Sequence, residues 1–591
     1  MTSGDEALAK SPLCRPEPTI LNELSNFGIV EQAVGRVSES RLARSQTMRT
    51  SFRNLLVYLL VIAAGCVAGP VIGGEEKVDE YLEAVKVYAD NVLEHGRDTY
   101  GPKKTPLFVD GINVDTRKPP VWKRNGEEWV LSNLASQQNL FRVLDGLSSA
   151  TGDPKYRGAA ADAIEYAFQH LRDPGGLLYW GGHCCYDALG DKVVGESRTH
   201  EFKHHYPYYE LMWRTDSEVT KRLIEAAWNA HVISWDNLDF NRHGRYEQPV
   251  GKLWDHEYKG GKVPFVGKGL TFMMSGTDLI YAAAQLSQFT NDERPLVWAK
   301  RLAKRYVEAR HPETGLGACN FSVLEDHRME KQFPQFEGRF SEATVTDLYG
   351  ARYTYCAICQ LRLGETLGPK GKEFVQWGVE DLTARANHGY DEATNSFWAM
   401  LIDGTKLSPA DRKQDGYVEV KWLEKRPADS RHFLAYALAY KLSKKDLMWR
   451  MTRKIGQGLG LGDLGVEPGK SISINSALSN NDPLVIFGLL EVWEATRETA
   501  YLDLAKRVAD NALAARFHKG FFVESKDHLF ARFDDPLPLA LLHLRAAVLG
   551  LSEKPPTYWH GRGYLHCPYD GKGRTYDNRV IYPRLRGEPE P

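Results

Sequence analysis

Thr151-Gly152-Asp153-Pro154-Lys155-Tyr156 separates two runs, 132–151 and 154–171, in which apolar residues return every three or four positions. The hexapeptide reads as a helix stop, a cap-like carboxylate and an aromatic near the start of the next helix. Close variants follow along the chain. Arg214-Thr215-Asp216-Ser217 and Thr290-Asn291-Asp292 break two further pairs of runs. Leu367-Gly368-Pro369-Lys370 precedes a run with Phe374 and Trp377. Ser443-Lys444-Lys445-Asp446 precedes Leu447-Met448-Trp449, and Thr496-Arg497-Glu498-Thr499 precedes Tyr501-Leu502. Most of these breaks recur at intervals of roughly 55–75 residues, as repeated helical hairpins would.

Outward from that turn, helical periodicity begins near Glu75. It covers 132–151, 154–171, 205–214, 217–233, 271–289, 293–310, 341–365, 371–387, 430–443, 445–457, 482–497, 499–515 and 535–551. The expected fold is all-α, about seven hairpins closed into an (α/α) toroid. An open α-solenoid, with shorter and more uniform repeats, ranks second. Glu342 and Asp347 stand where the 341–365 helix is expected to open and read as caps. Gly456–Gly462 reads as a helix stop and loop, because no strand precedes it. The connections Tyr100–Glu127, Asp173–His200, Asp236–Gly269, Pro312–Phe340 and Asn387–Ala428 are too long for turns and are expected to carry function. Residues 75–552 are taken as the toroid and 553–591 as a loop-and-strand tail lying on it.

The 591 residues exceed the usual single-core size, and a net charge of −2 excludes global attraction to nucleic acid or an anionic membrane. A polyanionic partner must therefore meet local cations. The eight cysteines form no zinc or disulfide framework and read as buried thiols. Residues 1–47 are polar and patternless. Residues 48–74 carry a short basic run, an apolar Leu55–Ala64 core and small residues, the layout of a signal peptide. A membrane anchor over 55–72 is the alternative. Export to the periplasm or the medium is expected, with a mature chain starting near 69–75.

Ionisable residues concentrate between Tyr179 and Tyr246. His183 follows Tyr179-Trp180-Gly181-Gly182, Glu201 lies in His200-Glu201-Phe202-Lys203, and Arg242 immediately precedes His243. Two imidazoles and a carboxylate suit a divalent ion with open positions. The spacing alone equally fits three unrelated structural residues.

Together these motifs resemble the polysaccharide lyase family 2 pectate lyases. The resemblance implies an (α/α)7 barrel acting on an acidic, polygalacturonate-like chain. It implies a divalent metal, manganese-like, held by His183, Glu201 and His243, with Arg242 as the catalytic base. The reaction is then β-elimination: C5 loses a proton, the C4 oxygen leaves, and a C4–C5 double bond remains without water being consumed. A dication against the C6 carboxylate stabilises the charge that develops. A guanidinium is ordinarily always charged, but a nearby dication and a dry cleft both oppose that charge. If Arg242 is instead a carboxylate clamp, Lys203 is the reserve base. Lys203 and Arg245 are expected to pair with neighbouring uronates. Arg352 either lines a cavity or pairs with a buried acid. Trp180 either stacks on a sugar or wedges the loop. His204, His205, His231 and His256 read as structural. Two other readings stay open: a glycoside hydrolase on unsaturated uronides using Asp110 or Asp115, and a non-catalytic carbohydrate-binding protein.

Overall fold

A computed structural model describes residues 72–196, 199–324, 330–346, 352–416, 418–561 and 563–590. The extension 1–47 and most of the expected leader 48–74 lie outside them. Fourteen main helices follow in order: α1 (Ile72–His95), α2 (Gln138–Thr151), α3 (Lys155–His170), α4 (Tyr209–Thr215), α5 (Ser217–His231), α6 (Met273–Thr290), α7 (Glu293–Glu308), α8 (Arg352–Leu367), α9 (Lys372–Ala384), α10 (Ser430–Ser443), α11 (Asp446–Gly458), α12 (Pro483–Thr496), α13 (Thr499–Arg516) and α14 (Leu537–Val548). Among the described residues no helix is long and apolar enough to cross a membrane.

From α4 to α14 the even-numbered helices pack against one another in chain order, α14 returns to pack against α2, and hydrogen bonds join α2 to α4, so the ring closes. The joint between α2 and α4 is polar. Arg142 donates to the Tyr206 carbonyl at 2.8 Å, and Asp145 accepts from Tyr208 Oη at 2.5 Å and from Arg214. Each odd-numbered helix packs outside an even one, with α1 covering α14. The expected all-α toroid of seven hairpins is thus observed. Position explains composition. The inner helix α12 is buried from Pro483 to Val492 and apolar there except for Glu491, whereas the outer helix α7 keeps Lys300, Arg301 and Lys304 off its buried stripe.

The ring has two unlike ends. Inner-to-outer connections are the short turns quoted above; outer-to-inner connections are the long loops, and the alternation of helix direction gathers them all at the opposite end. The short turns share a device. Thr151, Thr215, Thr290, Thr366, Ser443 and Thr496 each donate a hydroxyl to the carbonyl four residues back, closing an inner helix. Asp216 and Asp292 then cap the next outer helix through Val219 N and Arg294 N. One helix start differs from expectation. Residues 341–346 form a turn closed on the Ser341 carbonyl and a strand at Val345–Thr346, and α8 starts at Arg352. Glu342 therefore caps no helix, and Asp347 lies outside the described residues.

The tail leaves α14 at the short-turn end and runs through the ring. Pro556 accepts from His543 of α14 at 2.9 Å, Tyr558 stacks on Phe487 of α12, Trp559 packs on Tyr281 of α6, and His560 stacks on Tyr355 of α8. Contacts with four inner helices within five residues require a path along the axis. Tyr558 and Trp559 are buried, each gaining about 4–6 kcal/mol of transfer free energy before entropy is subtracted. Beyond the axis the chain reaches the long-loop end. There it forms a ribbon that enters the site described next.

Candidate active site at the long-loop end

Four short strands set the geometry. The strands β1 (Cys184–Asp187) and β2 (Lys192–Gly195) form a hairpin directly after His183, and β3 (Thr199–Glu201) pairs antiparallel with β4 (His243–Arg245). In that register His243 lies opposite Glu201, so cross-strand pairing brings the two side chains together. His183 is delivered by the Gly-Gly pair. Gly181 has φ +107° and a Cβ there would lie 2.7 Å from the Glu201 carbonyl oxygen; one at Gly182 would lie 2.9 Å from Glu201 Oε2. No side chain fits between the loop and the carboxylate.

His183 Nε2 lies 2.7 Å from Glu201 Oε2, and His243 Nε2 lies 3.5 Å from Glu201 Oε1. Neither approach is aligned as a hydrogen bond. Both imidazole Nε2 atoms and both carboxylate oxygens are buried without an aligned partner. One ligand atom from each of the three residues lies within 4.8 Å of the others. A buried polar atom left this way costs about 1–3 kcal/mol unless something occupies the shared point, and N,N,O donors suit a divalent ion. The residues present fit the expected metal.

Charge around Glu201 is positive. Lys203 Nζ lies 2.7 Å from Oε2 and Arg242 Nε 3.7 Å from Oε1. Burial pushes the Glu201 carboxyl up, but Lys203, His183, His243 and Arg242 outweigh it and hold the group ionised, well below the usual carboxylate range. Burial pulls His243 below the ordinary imidazole range, which keeps its lone pair available. Glu201 is fully buried, whereas the Arg242 and His243 side chains are 18% and 33% exposed, so the cluster opens to solvent on their side.

A buried relay sits behind this cluster. Trp180 Nε1 donates to His200 Nε2 at 2.9 Å, His200 Nδ1 meets His231 Nε2 at 2.8 Å, and His231 Nδ1 meets the Asn241 carbonyl at 2.7 Å. An indole only donates and a carbonyl only accepts, so both imidazoles are neutral with the proton on Nδ1. The relay ties the loop before Arg242 to the core. Burial holds His231 down to about 4 in agreement.

The structure places the other expected contacts as follows. Trp180 is 1% exposed, and its indole serves the relay, so it stacks on no sugar. Lys203 is 4% exposed; burial lowers its affinity for a proton, but Glu201 more than reverses this and holds it an ammonium. In this structure its ammonium is directed to Glu201 rather than to open solvent. Arg245 is exposed at the end of β4, on the same face as His243. Arg352 opens α8, and its side chain lies outside what is described. Asp110 is buried and accepts from Asn133 N, and Asp115 is held in a surface cluster with Lys519 and Arg586, so neither stands as a hydrolytic acid. Every cysteine among the described residues is a buried thiol.

The tail residues went unforeseen. His566 on β5 (His566–Pro568) packs 5.5 Å from the His183 ring, and its backbone N donates to the Gly182 carbonyl at 2.7 Å. Tyr564 and Tyr576 flank Lys203 at 5.5 and 5.7 Å. These residues lie more than 360 positions after His183 and carry no periodicity that would place them here.

A family model described as periplasmic pectate lyase matches residues 105–568. The chain belongs to this family. It is a polysaccharide lyase, 31% identical over 547 residues to the pectate disaccharide-lyase of Dickeya dadantii (strain 3937), a match covering 86% of this chain and 97% of that one. Among solved structures the lyase is weakly similar to cellobiose 2-epimerase from Spirochaeta thermophila DSM 6192, at TM-score 0.40 and 13% identity over 75% of this chain and 99% of that one. It has a comparably weak likeness to the GH76A alpha-1,6-mannanase from Salegentibacter sp. HEL1_6, at TM-score 0.37 and 10% identity over 79% of this chain and 99% of that one.

Proposed function

We propose that this lyase cleaves a polygalacturonate-like chain by metal-dependent β-elimination at the long-loop end. The reading is carried by one observation: His183 Nε2, the Glu201 carboxylate and His243 Nε2 converge without aligned partners, and Arg242 lies beside them. His183, Glu201 and His243 would hold the ion, with manganese favoured among divalent metals. When bound, it supplies Lewis-acid charge against the C6 carboxylate of the sugar that loses its C5 proton.

The chain's own residues do the rest. Arg242, whose guanidinium lies over the Phe272 ring at 5.4 Å, is proposed to take the C5 proton. The Glu201 carboxylate favours its charged form; committing that carboxylate to a dication withdraws this support. The C5–H electron pair forms the C4–C5 double bond as the C4–O bond breaks, and the departing oxygen takes a proton. Lys203 holds Glu201 in place, and Arg245 pairs with a neighbouring uronate. By analogy with the Dickeya relative's name, the product is an unsaturated disaccharide. The leader-like 48–74 segment and the family's periplasmic description support export.

The test is incubation with polygalacturonate, following ultraviolet absorbance of the double bond conjugated to the C6 carboxylate, with and without a chelator. Absorbance that vanishes on chelation and returns with manganese is expected. Undiminished absorbance after complete metal removal would overturn the metal reading.

A further inference from the structure

We propose that Glu196, anchored by Arg574 of the tail, is the positioning partner of His183, so that the tail forms part of the metal-binding apparatus. This inference rests on the metal reading above.

His183 would ligate through Nε2, which leaves Nδ1 to be oriented by something else. Among the described residues, the one carboxylate other than Glu201 beside this ring is Glu196, with Oε2 3.6 Å from Nδ1. Both atoms are buried, and neither has an aligned hydrogen-bond partner. A sub-ångström adjustment of either side chain closes the gap to hydrogen-bond length. A ligating imidazole commonly donates its second N–H to a carboxylate, which fixes the tautomer and raises ligand basicity.

The backbone holds the two residues together. Cys184 pairs with Gly195 across the β1–β2 hairpin, and Glu196 N donates to the His183 carbonyl at 3.0 Å. Gly195 has φ +144° and lies so close to the His183 carbonyl that no Cβ fits there. The far oxygen of Glu196 is held in turn. Arg574 Nε, on β6 (Arg574–Tyr576), lies 2.7 Å from Oε1. β6 pairs with β5, whose His566 N is bonded to the Gly182 carbonyl. The ribbon thus grips the His183 loop twice, once through backbone and once through the Arg574–Glu196 pair. The pair is partly exposed and contributes little to folding by itself, so its removal separates positioning from stability.

The experiment uses the chelator-stripped full chain, with free Mn2+ followed by electron paramagnetic resonance during titration. Wild type, Glu196→Gln, Glu196→Asp, Arg574→Ala and the double variant Glu196→Gln/Arg574→Ala are compared, together with their metal-free melting temperatures. Glu196→Gln is expected to weaken Mn2+ binding about 10–100-fold. Metal-free melting should be unchanged, and saturating Mn2+ should recover most of the rate. Arg574→Ala is expected to weaken binding by less, Glu196→Asp to restore part of the loss, and the double variant to bind no more weakly than Glu196→Gln. Unchanged Mn2+ affinity in Glu196→Gln, or additive losses in the double variant, would overturn the proposal. If Glu196→Gln does not fold, Arg574→Ala decides alone, and wild-type affinity there overturns it. Failure of the wild type to take up Mn2+ would instead bring down the metal reading beneath it.

Discussion

Two clusters of three acid or imidazole groups lie at opposite ends of the ring, and in each the ligand atoms fall within 4.8 Å of one another. At the short-turn end Glu365, Glu491 and Glu494 surround Lys441, with Arg362 on Glu365 at 2.8 Å and on Glu491 at 2.5 Å, and Lys554 on Glu494 at 2.6 Å. Three carboxylates meet three cations, and the charge is closed. At the long-loop end one carboxylate meets two imidazoles, and neither approach is aligned as a hydrogen bond. The clusters differ in charge balance rather than in proximity: three cations offset three carboxylates at the short-turn end, whereas a single carboxylate at the other end is surrounded by two imidazoles, Lys203 and Arg242. The first cluster ties α8, α10 and α12 together, while the second is built from loops on that scaffold.

The sharpest way to break this contrast is to disable one residue in each cluster. Glu201→Gln is expected to lower the elimination rate by at least about 10³-fold, since Lewis-acid stabilisation is worth several kcal/mol, and to abolish Mn2+ uptake. A rate within tenfold of wild type would remove Glu201 from the site. Lys441→Met should do the reverse. Losing the central cation of a mostly buried group costs about 2–4 kcal/mol, discounted for the partial exposure of Glu365 and Glu494. Urea unfolding measures this loss, and the chelator-sensitive rate at low temperature should be unaltered. A loss under about 0.5 kcal/mol would mean that the short-turn cluster is mere surface charge.

The two ends also differ in how far they were legible. The short-turn end is written in local code: an apolar period of 3.6, a closing threonine or serine, a capping carboxylate. Asp216 and Asp292 act within three residues of themselves, so one sequence suffices to place them. At the long-loop end the triad His183, Glu201 and His243 was recognisable from its motifs, yet the roles of its neighbours were not. Trp180 and Lys203 turn inward because His200 and Glu201 give them partners there. His566 and Arg574 were invisible because the contacts that define them join residues nearly 400 apart. The axial path of Tyr558-Trp559-His560 was hidden for the same reason: an aromatic run has no period, and its partners Phe487, Tyr281 and Tyr355 sit on three separate helices. The 341–346 turn was misread as helix because its apolar spacing matched, while Ser341 and Thr344 close a local turn instead.

Acid separates the clusters by a second route. His543 faces Arg362, Glu491 and Lys554 and donates to the Pro556 carbonyl; burial first, then Arg362 and Lys554, pull its pKa down to about 4 against the opposing Pro556 hydrogen bond and Glu491. The folded state thus resists its protonation while an unfolded chain accepts a proton near 6.5. The stability it contributes is complete above about pH 6.5 and is lost as pH falls toward 4, about 3 kcal/mol in all. Glu491, held below the usual carboxylate range despite its burial, works in a lower window: its contribution is present above about 4.3 and disappears only as pH falls further. Urea unfolding at pH 7, 6 and 5 should show wild-type stability declining through this interval, and His543→Gln should decline less steeply by up to about 1.4 kcal/mol per pH unit. Equal slopes would show that His543 is not the group taking up the proton.

The smallest effect tests whether the short-turn end is as local as its sequence. Gly152 closes α2 at φ +74° with nothing within 4 Å of where a Cβ would lie. Gly152→Ala therefore meets no clash and suffers only the left-handed backbone penalty, about 1 kcal/mol. Gly181→Ala is the counterpart at the other end, where the added methyl meets the Glu201 carbonyl at 2.7 Å and must move the ribbon that presents the carboxylate. Gly152→Ala should lower the urea midpoint slightly and leave rate and Mn2+ affinity as they are, whereas Gly181→Ala should lower both. If Gly152→Ala weakened Mn2+ binding, the two ends would be coupled through the ring, by way of the tail that runs from one to the other.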